Sequence, residues 1–193
     1  MRVDDAGALS TERRTGALDR DDELALAARA DPEAFGILYE RHRLAVFRYL
    51  RTRTPTEDDA AELTAVAFER ALAGMHRYRP TGGGVVAWLL RIARNAAIDA
   101  GRRKQAVPLD TDHGDVTGAA DPEATAIERE RLASVAAAVD RLPDVQREAL
   151  ALRYAAGLTA REIGDVLGKG EQATQKLISR ALATLREDHR DDR

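Results

Sequence analysis

Apolar residues in this chain recur every three to four positions and never alternate, and that period limits the fold to helices. The clearest case runs from Arg79 to Lys104, RPTGGGVVAWLLRIARNAAIDAGRRK. Gly82, Gly83 and Gly84 interrupt whatever precedes it. From there Val85, Leu89, Ile92, Ala93 and Ala96 fall on one helical face. At roughly 100° per residue, Arg91, Arg94, Asn95 and Arg102 fall on the opposite face, and Arg103 and Lys104 extend its positive end. Ile98 is the one apolar residue inside that basic stripe. Trp88, the chain's single tryptophan, stands near the stripe's edge.

The rest of the chain carries the same period with clear punctuation. Asp31 and Pro32 signal a helix start, and Phe35, Leu38, Tyr39, Val46, Tyr49 and Leu50 give that helix its apolar material. Thr56, with Asp59 three residues on, is a capping-box variant that opens the next helix. Leu63, Val66, Ala67 and Leu72 are expected on its buried side, and Gly74 is expected to end it. After Lys104 the stretch QAVPLDTDHGDVTGAADP has prolines, glycines and scattered acids but no period, which predicts a linker. Beyond Asp121-Pro122, helices are expected over about 126–140, 144–156, 159–167 and 171–187. The expectation is an all-α chain of two small helical domains, residues 21–104 and 122–188, joined by a flexible acidic linker over 105–121. A flexible arm over 1–20 and a short tail over 189–193 flank them.

Composition removes several function classes. Without cysteine there is no disulfide framework and no thiolate metal site. No apolar run reaches the ~18 residues that suggest a membrane span, and the N-terminus has no apolar core of signal-peptide length. Each point fits a cytoplasmic protein. His42, His76, His113 and His189 are scattered with no metal-ligand spacing, and no phosphate loop of the Gly-x-x-x-x-Gly-Lys type exists. No enzyme activity, cofactor or metal is expected. The net charge of −3 conceals a segregation. Acids collect at both termini and between Asp110 and Glu130, while arginines collect between Arg41 and Lys104. Local sign matters more than the total for an extended polyanionic partner.

The most specific stretch is LPDVQREALALRYAAGLTAREIGDVLGKGEQATQKLISRALATLRE. Gly157 supplies a left-handed stop, Thr159 and Glu162 form a capping box, and Gly168 permits a short turn before a further helix near Glu171. Two helices joined by a short glycine-containing turn make the helix-turn-helix pattern. In the last helix Thr174, Leu177, Ile178, Ala181, Leu182 and Leu185 share one face. Gln172, Gln175, Lys176 and Ser179 share the other, with Arg180 at its margin. Gln pairs bidentately with adenine, and Lys binds guanine or phosphate. The competing reading is an ordinary αα-hairpin whose polar face is merely solvated. The Arg79–Lys104 stretch divides the same way. Arginines that track phosphates beside aromatic rings suit single-stranded nucleic acid. Trp88 as core with a solvated arginine face is the plainer alternative.

The residues DDAAELTAVAFERALAGMHRYRP and VVAWLLRIARNAAIDAGRRK resemble the second conserved region of bacterial sigma factors. LPDVQREALALRYAAGLTAREIGDVLG and ATQKLISRALATLR resemble their fourth. With only a linker between, the chain resembles the extracytoplasmic-function (ECF) sigma factors over about residues 22–188. The resemblance implies a subunit that brings core RNA polymerase to promoters and helps melt them. It implies contact with the β′ clamp helices through Asp59, Glu62, Leu63, Val66 and Phe68, with Ala65 and Val66 departing from the usual residues. It implies capture of −10 promoter DNA by His76, Arg77, Tyr78, Arg79, Trp88, Arg91, Arg94, Asn95, Arg102, Arg103 and Lys104. It implies −35 recognition by Thr159, Arg161, Glu171, Gln172, Gln175, Lys176, Ser179 and Arg180, with the preceding helices on the β-subunit flap tip. Asp110, Asp112, Asp115 and Asp121 would suit a basic polymerase channel, or simply a solubilising tether. Many relatives are held by an anti-sigma factor. The alternative is a polymerase-independent regulator of the LuxR type, whose helix-turn-helix the C-terminal half resembles about as well.

Overall fold

The computed structural model describes residues 20–106 and 126–191, and every regular element among them is helical. All of the expected arm but Arg20, which is helical, and nearly all of the linker lie outside the described residues, as do Asp110, Asp112, Asp115 and Asp121.

A first helix, α1 (20–27), went unread in the sequence. Asp21, Asp22 and Glu23 favour its N-terminus electrostatically, and Ala25 is fully buried. Helix α2 (Pro32–Arg51) starts as expected: the Asp31 carboxylate accepts from the Glu33 amide at 2.9 Å. Helix α3 (Glu57–Gly74) starts at Thr56, whose hydroxyl accepts from the Asp59 amide at 3.0 Å. Its buried side departs from expectation. Ala60, Thr64, Ala67, Phe68 and Ala71 face inward, whereas Leu72 is 52% exposed and Leu63 and Val66 are half-buried. Small residues at the inward positions let the α3 backbone approach α2 and α4, and Leu72 falls one position around the helix from that stripe. Helix α3 ends at Gly74 as expected, though not through a left-handed cap. Gly74 keeps a right-handed φ of −90°, and the chain turns through a short 3-10 segment, Met75–Arg77. Helix α4 (Gly84–Ala106) runs past the expected linker start, and its first residue, Gly84, takes a φ of +67° that only glycine adopts freely.

The C-terminal unit holds α5 (Ala126–Asp140), α6 (Asp144–Leu150), α7 (Ala160–Leu167) and α8 (Glu171–Asp191). The end of the expected 144–156 helix is a π turn, Ala151–Ala155. Left-handed Gly157 (φ +76°) and Gly168 (φ +66°) bracket α7 as expected. Thr159 and Glu162 form the reciprocal capping box. Helix α8 continues to Asp191 rather than ending near 187. Thr174 occupies its core slot fully buried, its hydroxyl satisfied by the Gly170 carbonyl at 3.1 Å.

The two units do not stand apart. Helix α4 packs on α7, and α2 packs on the π turn. One apolar cluster joins Val46, Tyr49, Leu50, Val85, Leu89 and Leu90 of the first unit to Leu152, Leu158, Ile163 and Val166 of the second. Helical spacing shows which face of each helix is apolar, but not that the apolar faces of two units pair with each other.

Candidate nucleic-acid interface

Helix α4 is set in place by its own N-terminus and by α1. The Asp22 carboxylate accepts from the Val85 amide at 2.9 Å and from the Tyr78 hydroxyl. It therefore neutralises an orphan helix donor and fixes the loop before the helix. Tyr78 is 1% exposed and lies edge-on to Trp88, with ring centroids 5.2 Å apart. Burial, then the Asp22 carboxylate, pushes its hydroxyl pKa well above the ordinary tyrosine value. The expectation that Tyr78 offers a free stacking face is corrected: it is a core side chain, and the half-buried Trp88 packs on the same core.

Around those two rings the basic groups face water. His76, Arg77 and Arg79 are exposed on the loop; Arg77 Nε donates to His76 Nε2 at 3.0 Å, and Arg79 donates to the Tyr78 carbonyl at 2.9 Å. On α4, Arg91, Asn95, Arg102 and Arg103 are exposed, and Ile98 shares that surface at 37% exposure. The Lys104 side chain lies outside the described residues. Arg94 departs from the stripe. It is half-buried, with Nε 3.6 Å from the Glu148 carboxylate of α6. Asp99, also on α4, pairs with Arg70 of α3 at 2.8 Å.

The second polar surface is open. Glu171, Gln172, Gln175, Lys176, Ser179 and Arg180 are all exposed along the first half of α8, where Gln175 donates to Glu171 at 3.4 Å. Thr159 is spent on the α7 cap, and exposed Arg161 lies against Gly82. On α3, Glu62 is exposed, and Asp59, Leu63 and Val66 are half-buried. Phe68 is 4% exposed, edge-on to Phe35 and Tyr39, so its expected place on a docking surface is corrected to the core.

Sequence reasoning missed Asp22, Asp165 and Glu148. Each is an acid whose partners come from distant elements, and no local spacing marks such a residue. Among the described residues, no group of three or more His, Cys, Asp or Glu side chains could hold a metal ion. None of their helices is long and apolar enough to cross a membrane.

Two separate surfaces, one arginine-rich on α4 and one glutamine-lysine on the second helix of a helix-turn-helix, thus share one chain. Residues 38–107 match the family model for sigma-70 region 2, and residues 132–185 match that for sigma-70 region 4. The ECF sigma factor SigD of Mycobacterium tuberculosis (strain ATCC 25618 / H37Rv) is 32% identical, over 86% of this chain and 81% of its own length. This chain belongs to the ECF RNA polymerase sigma factors. ECF sigma factor BldN of Streptomyces coelicolor is 35% identical over 84% of the chain, which spans 62% of BldN. The solved structure of CnrH in complex with the cytosolic domain of CnrY superposes with a TM-score of 0.65 at 27% identity. That match covers 90% of this chain and 99% of CnrH. As a family member the chain is an initiation factor that binds RNA polymerase and selects promoters, and the LuxR-type alternative finds no support.

Proposed function

We propose that this sigma factor divides promoter recognition between its two surfaces. The α8 face of Glu171, Gln172, Gln175, Lys176, Ser179 and Arg180 reads the −35 duplex, with Thr159 and Arg161 placing α7 over the backbone. His76, Arg77, Arg79, Arg91, Asn95, Arg102, Arg103 and Lys104, joined by Arg94, hold the −10 strand once it parts. Trp88 and Tyr78 serve that task by supporting the loop rather than by stacking. Melting costs on the order of 1–2 kcal/mol per base-pair step, and arginines on the separated strand offset part of that cost. The chain makes and breaks no bond and acts in the cytoplasm. Asp59, Glu62, Leu63 and Val66 meet the polymerase β′ subunit, and the helices before α8 meet the β subunit. Residues 21–104 and 122–188 are the two recognition modules, 105–121 their linker, and an anti-sigma protein is a further partner.

One observation supports this reading above the others: the exposed row of Arg91, Asn95, Arg102 and Arg103 borders a loop whose own basic residues face the same solvent. On a promoter that core polymerase transcribes with this chain, permanganate should detect unpaired thymines around −10. Arg91→Glu with Arg102→Glu should abolish that signal while the −35 footprint persists. Thymine reactivity unaffected by both changes would refute the assignment of α4.

A further inference from the structure

Arg29, in the turn between α1 and α2, belongs to none of the sets assigned above, and it precedes residue 38, where the match to region 2 begins. Its guanidinium donates to the carbonyl of Tyr78, 49 positions along the chain. Arg79 donates to the same carbonyl at 2.9 Å and reaches the His76 carbonyl at 3.5 Å. Two nitrogens that share one acceptor lie no more than about 6 Å apart. Like charges so close repel each other, and the carbonyl offers only a partial charge in return. Among the described residues no carboxylate pairs with either guanidinium. Both side chains are exposed, and most of their N–H donors point away from this carbonyl.

The carbonyl on which they meet is a fixed point. Tyr78 is 1% exposed, its ring lies edge-on to Trp88, and its hydroxyl donates to Asp22. Asp22 also accepts from the Val85 amide at 2.9 Å, so one acid anchors both the tyrosine and the start of α4. Its neighbour Asp21 ties α1 to α2: it lies 3.2 Å from the His42 ring and accepts from Arg41. The shared carbonyl therefore keeps a set register to α4 and its arginine row. Two guanidinium forks on a rigid mount, with no carboxylate paired to them, match the oxygens of a phosphate diester.

We propose that Arg29 is a further contact to the −10 strand: with Arg79 it forms a two-guanidinium cradle for one backbone phosphate. The cradle borders His76 and Arg77, exposed on the loop assigned to the parted strand, so a nucleic-acid backbone is the anion that passes it. A phosphate contact fixes register and adds affinity without choosing a base. This proposal rests on the −10 reading of the loop and of α4.

Methylphosphonate linkages remove the charge of one phosphate at a time from a fluorescent single-stranded −10 oligonucleotide. Binding is measured to holoenzyme made from core polymerase and the full chain. At one position the neutral linkage should weaken binding to the parent about tenfold. Arg29→Ala should weaken binding of the unmodified strand by a similar factor. In that variant the penalty at that one position should shrink about threefold or more, while the penalties elsewhere persist. Arg29→Lys, which restores the charge without the fork, should recover part of the loss. With Arg29→Ala and Arg79→Ala together, the slope of log affinity against log salt should fall by about 0.7, one phosphate's share on a single strand. If Arg29→Ala weakens binding without altering the penalty at any position, Arg29 is only a staple for the loop, and the cradle is overturned. A slope change of about 1.4, the share of two separate phosphates, would overturn it too. So would a loss confined to assembly with core polymerase, which would assign Arg29 to an acidic protein partner. A parent holoenzyme that binds no −10 strand and yields no transcript would instead overturn the functional reading, since failure of the cradle alone leaves parent binding intact.

Discussion

Helices α4 and α8 both carry a polar face suited to nucleic acid, yet the fold uses the two faces differently. On α8 the whole face from Glu171 to Arg180 is open to solvent, and along it Gln175 donates to Glu171. On α4 part of the face has been drawn inward: Arg94 turns to Glu148 and Asp99 pairs with Arg70. The aromatic residues beside it, Tyr78 and Trp88, pack on the core. A surface that reads duplex DNA needs rigid presentation of a few side chains, which a capped, well-seated helix supplies. A surface that holds a parted strand can share residues with an internal contact, provided that contact breaks when the strand arrives.

That contrast can be sharpened by substitution. The largest effect is expected from Arg91→Glu with Arg94→Glu. Charged hydrogen bonds contribute at least about 1.5 kcal/mol each, so open-complex formation should fall on the order of 100-fold. Binding of the −35 duplex by holoenzyme should change little, and equal loss of both would erase the distinction between the helices. Next comes Gln175→Ala with Lys176→Ala. A bidentate base contact contributes about 1–3 kcal/mol, so −35 duplex affinity should drop about tenfold at fixed salt while melting of a preloaded promoter persists. Unchanged affinity would show that α8 is not the reader.

Smaller effects separate the scaffolds from the surfaces. Thr159→Ala removes the α7 cap and should cost about 1 kcal/mol, a melting shift of roughly 2–4 °C in calorimetry. A shift within error would show that the capping box adds nothing to the helix-turn-helix. The least effect concerns acid. Burial alone would raise the Asp21 pKa, but the His42 ring and the Arg41 guanidinium beside it outweigh burial and lower it. Its contribution is therefore present above the ordinary carboxylate value of about 3.9 and is lost as pH falls through the lower folded value. Asp21→Asn should flatten the acid limb of a melting-temperature profile slightly, and an identical limb would remove Asp21 from the account.

The caps and left-handed glycines were legible because each is written in adjacent residues: Asp31, Thr56, Thr159 with Glu162, Gly157 and Gly168 all act where expected. The helical period placed the α8 faces correctly, including buried Thr174. It failed for α3, because alanines and Thr64 fill the inward stripe while Leu72 points out; bulk alone misdirects when close backbone approach needs small residues. Tyr78 and Phe68 were assigned to partners although aromatic area is what a small helical core most needs. The contact between units stayed hidden because it depends on single acids, Glu148 and Asp165, meeting donors about 95 and 82 positions away.

The central claim is that this chain gives RNA polymerase promoter selectivity through two surfaces. Transcription in vitro by core polymerase over a promoter library, with and without the full chain, tests it most directly. The account predicts that a defined subset of promoters fires only when the chain is present. Identical transcripts in both reactions, or tight sequence-specific binding of duplex promoters by the chain without polymerase, would contradict it.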